Sequence, residues 1–349
     1  AIDISGGLDS AAVTQITFSN FTKDELVAEG VRISHPDASA AQDLEPEYIA
    51  VTEDSTIAFV ALQENNALAV IDLSDLSVAD IFPLGLKDWQ GNGWLLDPSD
   101  KDDAINMGSW PVFGCYMPDA ITTLSIGGEH YVLTANEGDG REYGEDGANY
   151  LDEVRMGKAQ LDPEAFPQAE EWSEKAVLGR LKLLTDLSDT DGDGDIDRLV
   201  AFGARSFSIF GPDGLVWDSG DDFETLMAES YPEYFNATND ENEFDGRSDD
   251  KGVEPEAITV GKVGGEFYAF IGLERASGVM VYKVSDPTAP EFVTYVTNRD
   301  MSGDPEAGTA GDLGPEGLVF IAAEDSPSGG PLLVVSNEVS GTTTIYEIK

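Results

Sequence analysis

The sequence predicts an all-β fold, a β-propeller with helical and loop insertions, on three observations. A phrase of proline, an acid and an alternating apolar run occurs four times: EPEYIAV at 45–51, MPDAITT at 117–123, EPEAITV at 254–260 and GPEGLVF at 314–320. Each copy reads as a strand entered from a proline-stiffened turn. Behind each comes a second apolar strand that ends on another acid, in VALQEN, LTANEG, IGLERA and VVSNEV. After three of the copies a further strand of one type follows, ALAVIDLSD, GVMVYKVSD and TTTIYEIK. Short strands that repeat in this way and cannot bury their faces alone are the signature of propeller blades.

The elements follow in order. AIDISGG resembles the ends of the later third strands, so the chain is read as beginning mid-blade, with blades missing upstream. AAVTQITF then serves as an outer strand, completing an earlier blade or joining the C-terminal blade that ends at IYEIK. One four-stranded blade is expected between residues 44 and 84, with strands near 46–52, 56–62, 67–73 and 77–83. Residues 85–116 and 138–176 read as insertions into a single domain spanning 1–349. In the second insertion Asp162 is placed to cap a helix with Pro163 in its first turn, running to about residue 176. A separate blade is expected from LGRLKLLT, RLVAFGA, SFSIFGP and LVWDSG. A short helix near 223–229 and the acidic loop NDENEFDGRSDDKG precede the third copy.

The 349 residues carry a net charge of -49, yet 41% are hydrophobic and 9% aromatic, enough for a core. Such a charge repels nucleic acid and anionic lipid while attracting divalent cations and basic partners. Adaptation to salty water accounts for surface charge in general but not for acids at repeated strand ends. Cys115 is the single cysteine, so neither an intrachain disulfide nor a thiolate metal cage can form. No apolar stretch has the length of a membrane span and no signal peptide opens the chain. If the protein is exported, its leader has been removed. Asn20 and Asn236 begin sequons that matter only in a glycosylating host.

The sharpest local motif holds Asp189, Asp191, Asp193, Asp195 and Asp197 in the pattern D-x-D-x-D-G-x-x-D. Alternate carboxylates can converge on one calcium ion while Gly194 permits the turn. The twelfth position is Val200 rather than Glu, so this is no complete EF-hand, and the competing reading is a solvated acidic turn. Blade symmetry predicts a second set, Glu47 with Glu64, Asp119 with Glu137, Glu256 with Glu274 and Glu316 with Glu338, at one mouth of the channel. Like charges so placed raise one another's pKa unless a metal or arginines compensate; the alternative is that each acid caps its own turn. Arg141, Arg205, Arg247 and Arg275 lie beside these phrases, as a phosphate or carboxylate clamp or as plain ion-pair partners. His35 and His130, the only histidines, exclude a histidine-rich zinc site, and no P-loop, dinucleotide fingerprint or G-x-S-x-G elbow is present.

SWPVFGCYMPDAI, LTANEGDGREY, DTDGDGDIDRLVAFGARSFSIF, DDKGVEPEAITVG and AFIGLERASGVMVYKVSDPTAPEFV together resemble the bacterial choice-of-anchor I proteins. That family is similar in turn to mesenchyme-specific cell-surface glycoproteins and to atypical bacterial alkaline phosphatases. The resemblance runs from about residue 1 to residue 349. It implies an exported propeller of about seven blades in the full family domain, at the cell surface, in the matrix or in the periplasm, and it supplies no agreed nucleophile.

Two functions follow as expectations. The first is an exported calcium-binding module of the cell surface or extracellular matrix, with matrix polymers as partners and no membrane insertion. The rival is a calcium-dependent, alkaline phosphatase-like phosphoester hydrolase at the channel mouth, with Glu274, Arg275, Arg205 and Arg247 as its candidate catalytic residues. A third reading, a carbohydrate or peptide binder, uses Trp89, Trp94 and Trp110 as rim aromatics.

Overall fold

The computed structural model describes residues 1–143 and 150–349; residues 144–149, inside the polar insertion after Glu137, lie outside the described residues. Four antiparallel sheets form consecutive propeller blades. Sheet I runs Pro46–Val51, Ile57–Leu62, Ala67–Asp72 and Ser77–Pro83, close to the expected strands. The period of two in IAFVAL explains why both faces are buried: Ala58, Val60 and Leu62 pack with Leu26 and Ile33, while Phe59 and Ala61 pack with Tyr116 and Phe210 of the next sheet. Sheet III comprises Pro255–Val263, Glu266–Leu273, Gly278–Lys283 and Glu291–Thr297. Sheet IV has three strands, Pro315–Ile321, Leu332–Asn337 and Thr342–Glu347.

Sheet II corrects the expected blade assignment. Its strands Ile121–Ile126 and Glu129–Asn136 are completed by Ser206–Gly211 and Gly214–Asp218, with Val132 opposite Phe210 and Asn136 opposite Ser206. SFSIFGP and LVWDSG therefore finish the second copy rather than belonging to a blade of their own. The rest of that expected blade joins the two insertions in one five-stranded sheet. Leu199–Ala201 runs parallel to Val112–Cys115, with Leu86–Asp88 outside one and Lys182–Leu184 then Glu153–Arg155 outside the other.

The three tryptophans are core residues of this insertion sheet and not a binding rim. Trp89 is buried beside Leu96, Val112, Met156 and Leu199, and Trp94 and Trp110 pack against the same cluster. Lys87 Nζ lies 4.1 Å and 4.8 Å from the ring centroids of Trp89 and Trp94. The expected helix after Asp162 shrinks to one turn, Ala169–Trp172. Pro167 accounts for this, because it lacks an N–H and its ring disfavours helical backbone at Phe166. The later helix forms as Asp222–Ser230.

At the start of the chain, Ile2–Asp3 pairs with Ala12–Val13 as a small hairpin. Among the described residues the AAVTQITF run thus does not join the C-terminal sheet.

The first strands of sheets I, II, III and IV pack in that order. Thr123 Oγ1 donates to Val51 O at 2.9 Å between sheets I and II, and Ala120 N donates to Glu256 O at 3.2 Å between II and III. Phe270 and Phe320 stack between sheets III and IV, centroids 5.9 Å apart. These contacts put the starts of the four phrases side by side.

Candidate functional site

Each repeated phrase enters its strand through a device that aims its acid. Met117, Glu254 and Gly314, the residues before three of the prolines, have φ of 43°, 51° and 69°. In sheets I, III and IV the ladder then shifts register just after the proline, between Pro46 and Ile49, Pro255 and Ala257, and Pro315 and Gly317. The residues skipped include Glu47, Glu256 and Glu316. A bulge leaves its extra residue unpaired and redirects its side chain, so these acids leave the ladder.

Seven of the eight symmetry-related acids feel one another's charge. Burial, then Glu137, Glu47 and Glu316, push Asp119 up to about 7. Burial, then Glu274, Glu137, Asp119 and Glu316, push Glu256 up to about 10, and Glu256 Oε2 is buried without a hydrogen-bond partner among the described residues. Glu274 rises to about 8, through burial first and then Glu254, while Glu316 is raised by burial and by its contact with Glu338. Glu64 stands apart: burial lifts it to about 7, and its neighbours are Glu45 and Arg141.

Behind this ring lies a buried trio that only partly coincides with the expected set. One carboxylate oxygen from each of Glu137, Glu254 and Glu274 falls within 4.8 Å of the others. Three cations already serve these oxygens. Lys251 Nζ is 2.5 Å from Glu137 and 3.5 Å from Glu254; Arg247 reaches Glu254 at 2.5 Å; Arg275 Nε is 3.2 Å from both Glu254 and Glu274. Burial opposes ionisation of Glu254, but Lys251, Arg247 and Arg275 outweigh it and hold the carboxyl at about 2. These cations hold Glu254 as an ionised carboxylate, while Glu137 and Glu274, raised by burial, share the same ion-pair network. Glu254 and Lys251 were not among the sequence candidates; the signal was the acid before Pro255, shared with Glu45 before Pro46, together with a lysine three residues earlier that no other copy has.

Arg247 and Arg275 do border a cleft of about 230 Å³, together with Lys182, Lys251, Asp139 and Asp250. Arg205 does not. It is 3% exposed, and its terminal nitrogens donate to Glu224 Oε1 and to the carbonyls of Asp97, Ser248 and Asp250, so its expected place in a phosphate clamp is corrected to an internal brace. Arg141 does line the cleft but is itself buried, its guanidinium donating to Ser34 Oγ, Asp43 O and Glu45. His130 pairs with Ser125 Oγ at 2.9 Å on the outer side of sheet II, and His35 packs on Tyr150.

The aspartate loop is a different environment. Asp189, Asp191 and Asp193 each offer an oxygen within 4.8 Å of the others, on a largely exposed turn. Two ligands of one calcium are at most about 5 Å apart, twice the usual bond length, so this spacing fits. Backbone bonds hold the loop ready. Asp189 accepts from Gly192 N at 2.7 Å and Gly194 N at 3.0 Å, and Asp197 accepts from Thr190 N and Oγ1 at 2.6 and 2.7 Å. Asp195 is raised by the burial cost and then by Asp193, Asp162 and Asp197, which places Asp162 beside the loop. Sequence reasoning had given Asp162 only a capping role.

The sequence profile of the choice-of-anchor I domain matches residues 1–287 of this chain. The chain belongs to the choice-of-anchor I family. Among proteins similar to this choice-of-anchor I chain, the mesenchyme-specific cell surface glycoprotein of Strongylocentrotus purpuratus is 30% identical over 319 residues, 79% of this chain and 41% of that protein. Gigasin-3a of Magallana gigas is 28% identical over 187 residues, 50% of this chain and 66% of that protein. The choice-of-anchor I chain thus spans less than two thirds of the length of either. Solved structures similar to it include the Pseudomonas aeruginosa periplasmic gluconolactonase, 12% identical with a TM-score of 0.33, covering 87% of this chain and 66% of that one. The C-terminal WD40 domain of Sif2 is 10% identical with a TM-score of 0.26, covering 88% and 71%. The blade architecture rests on the strand pairing described above.

Proposed function

We propose that this chain is a calcium-binding module of a cell-surface or extracellular-matrix protein. The observation that carries calcium is the convergence of Asp189, Asp191 and Asp193 on a turn whose backbone is fixed by its own carboxylates. The surface setting is supported by family membership and by the printed name of the sea-urchin relative. The ion staples a loop that follows Ser188 and leads directly into Leu199–Ala201, the central strand of the insertion sheet, so calcium stiffens the insertion rather than performing chemistry.

The phosphoester hydrolase reading has less support, because Arg205 is consumed internally and Arg247, Arg275 and Lys251 are paired with Glu254, Glu274 and Glu137. The deciding experiment combines calorimetric calcium titration with a panel of phosphomonoesters and phosphodiesters, each with calcium and with chelator. Calcium binding without turnover is expected. Calcium-dependent turnover abolished by Arg275→Ala would overturn the module reading in favour of the hydrolase.

A further inference from the structure

Outside the channel and the aspartate loop, a third group of oxygen donors sits in the interior with nothing to bind. Glu224 Oε2, Asn236 Oδ1 and Asp245 Oδ2 are buried and lack a hydrogen-bond partner among the described residues. The three residues are 1%, 1% and 2% exposed. Their other atoms tie them into one chain: Asn236 Nδ2 donates to Glu224 Oε1 at 2.7 Å and to Ser248 Oγ at 2.8 Å, and Ser248 Oγ donates to Asp245 Oδ1 at 2.5 Å. Asp97, fully buried, acts electrostatically on Asp245 and is acted on by Glu224. Its two oxygens accept from Ser99 N at 3.3 Å and Asn106 N at 2.5 Å.

The sequence brings these groups from three distant segments. Asp97 comes from the first insertion, Glu224 from the first turn of helix Asp222–Ser230, and Asn236 and Asp245 from the acidic loop before the third phrase. Asp245 N donates to Phe235 O at 3.1 Å and Arg247 N to Asn236 O at 2.8 Å, which holds the two sides of that loop together.

Orphaned acceptors at this depth are costly, each losing the hydration that an exposed carboxylate or amide keeps. A single buried water does not resolve them, since it has two hydrogens for three acceptors. Cations are also scarce around these carboxylates among the described residues. Asp97, Glu224 and Asp245 are opposed directly by one cation, Arg205, at 2.7 Å from Glu224. Lys87 contributes only through its field, its ammonium being bound to Ala204 O, Gly220 O and Asp218.

The geometry points to a buried divalent cation of the calcium type, held by Glu224 Oε2, Asn236 Oδ1 and Asp245 Oδ2, with Asp97 as a further carboxylate neighbour. All the donors are oxygen, which selects against zinc, and an irregular set of two carboxylates and an amide suits calcium's flexible geometry better than the strict octahedron of magnesium. The ion ties the first insertion, the helix and the acidic loop together. It is separate from the exposed loop at 189–197 and exchanges far more slowly, because leaving requires the interior to open.

The test counts bound metal in the whole chain by native mass spectrometry and elemental analysis after rapid passage over a chelating resin. The Asp191→Asn/Asp193→Asn variant removes the loop site and leaves this one. We expect that variant to retain one calcium per chain, and Asp245→Asn or Glu224→Gln added to it to retain none while keeping the circular dichroism of the folded sheet. If Asp245→Asn does not fold, Glu224→Gln and the metal count of the loop variant still decide. A loop variant that holds no metal, and whose melting is unchanged by prolonged chelation, would overturn the proposal and leave the oxygens to protons and waters. Failure of the loop site itself would instead appear as calcium binding unaffected by Asp191→Asn/Asp193→Asn.

Discussion

Lys251 Nζ sits 2.5 Å from Glu137 Oε1 and joins the end of a sheet II strand to the left-handed turn that enters sheet III. Burial opposes the ammonium, yet Glu254 and Glu137 outweigh it and hold its pKa well above the ordinary lysine value. Removing it leaves two buried carboxylates facing each other. Lys251→Met should therefore cost about 3–5 kcal/mol of stability, the usual penalty for breaking a buried pair. Urea unfolding of the two proteins at neutral pH measures it, and a loss below about 1 kcal/mol would show that the acids simply protonate.

The two glutamates that flank Pro255 titrate in opposite directions. Glu254 is lowered from 4.5 to about 2, so its stabilisation is complete above 4.5 and is lost as pH falls toward 2. Glu256 is raised from 4.5 to about 10, so the stability associated with its protonated form is full below 4.5 and is lost as pH rises through that window. Glu256→Gln should raise the melting temperature at pH 8 and leave it unchanged at pH 4. A variant that melts lower than the parent at pH 8 would mean that the Glu256 carboxylate is held by a cation.

On the calcium reading proposed above, the ion should raise the melting temperature by mass action, through affinity for the folded loop and not the unfolded chain. At a hundredfold excess over the dissociation constant the gain is about 2.7 kcal/mol per site. In Asp191→Asn/Asp193→Asn, differential scanning calorimetry with millimolar calcium added to resin-treated protein should show that increment gone. An unaltered increment would move the responsive site elsewhere.

What was legible in the sequence follows from how local each feature is. Sheets I and III are contiguous, so alternation and turn residues suffice to read them. Sheet II is split by the stretch between Asn136 and Ser206, and nothing in SFSIF says that its partner lies before an insertion. The parallel pairing of Val112–Cys115 with Leu199–Ala201 is equally non-local. Among the repeated acids, the phrase picked out Glu256 and Glu316 as equivalent positions, and Glu316 acts on Glu256 electrostatically. It could not show the bulges that aim them, which arise from register and not from residue type. The oxygens of Glu224, Asn236 and Asp245 belong to no repeat, so no symmetry argument reaches them. Trp89 misled because an aromatic in a long insertion looks like a rim residue until the insertion proves to have a core.

The insertion is locked to sheet II at a backbone crossing. Gly138, with φ of 94°, follows Glu137, and Gly203, with φ of 68°, follows the central strand of the insertion sheet. A Cβ on Gly138 would lie 2.1 Å from Gly203 Cα, and one on Gly203 would lie 2.2 Å from Glu137 O. Both contacts are with backbone, which cannot swing aside as a side chain can. Both φ values also fall where a side chain is strained. Gly203→Ala should thus displace the strand end that carries Glu137 and weaken its pairing with Lys251, lowering stability by several kcal/mol. Gly192→Ala, at φ of 80° but with open space around its Cβ position, should cost only the conformational strain, about 1 kcal/mol. Equal losses in the two variants, read from parallel thermal melts, would show that left-handed backbone and not the crossing sets the cost.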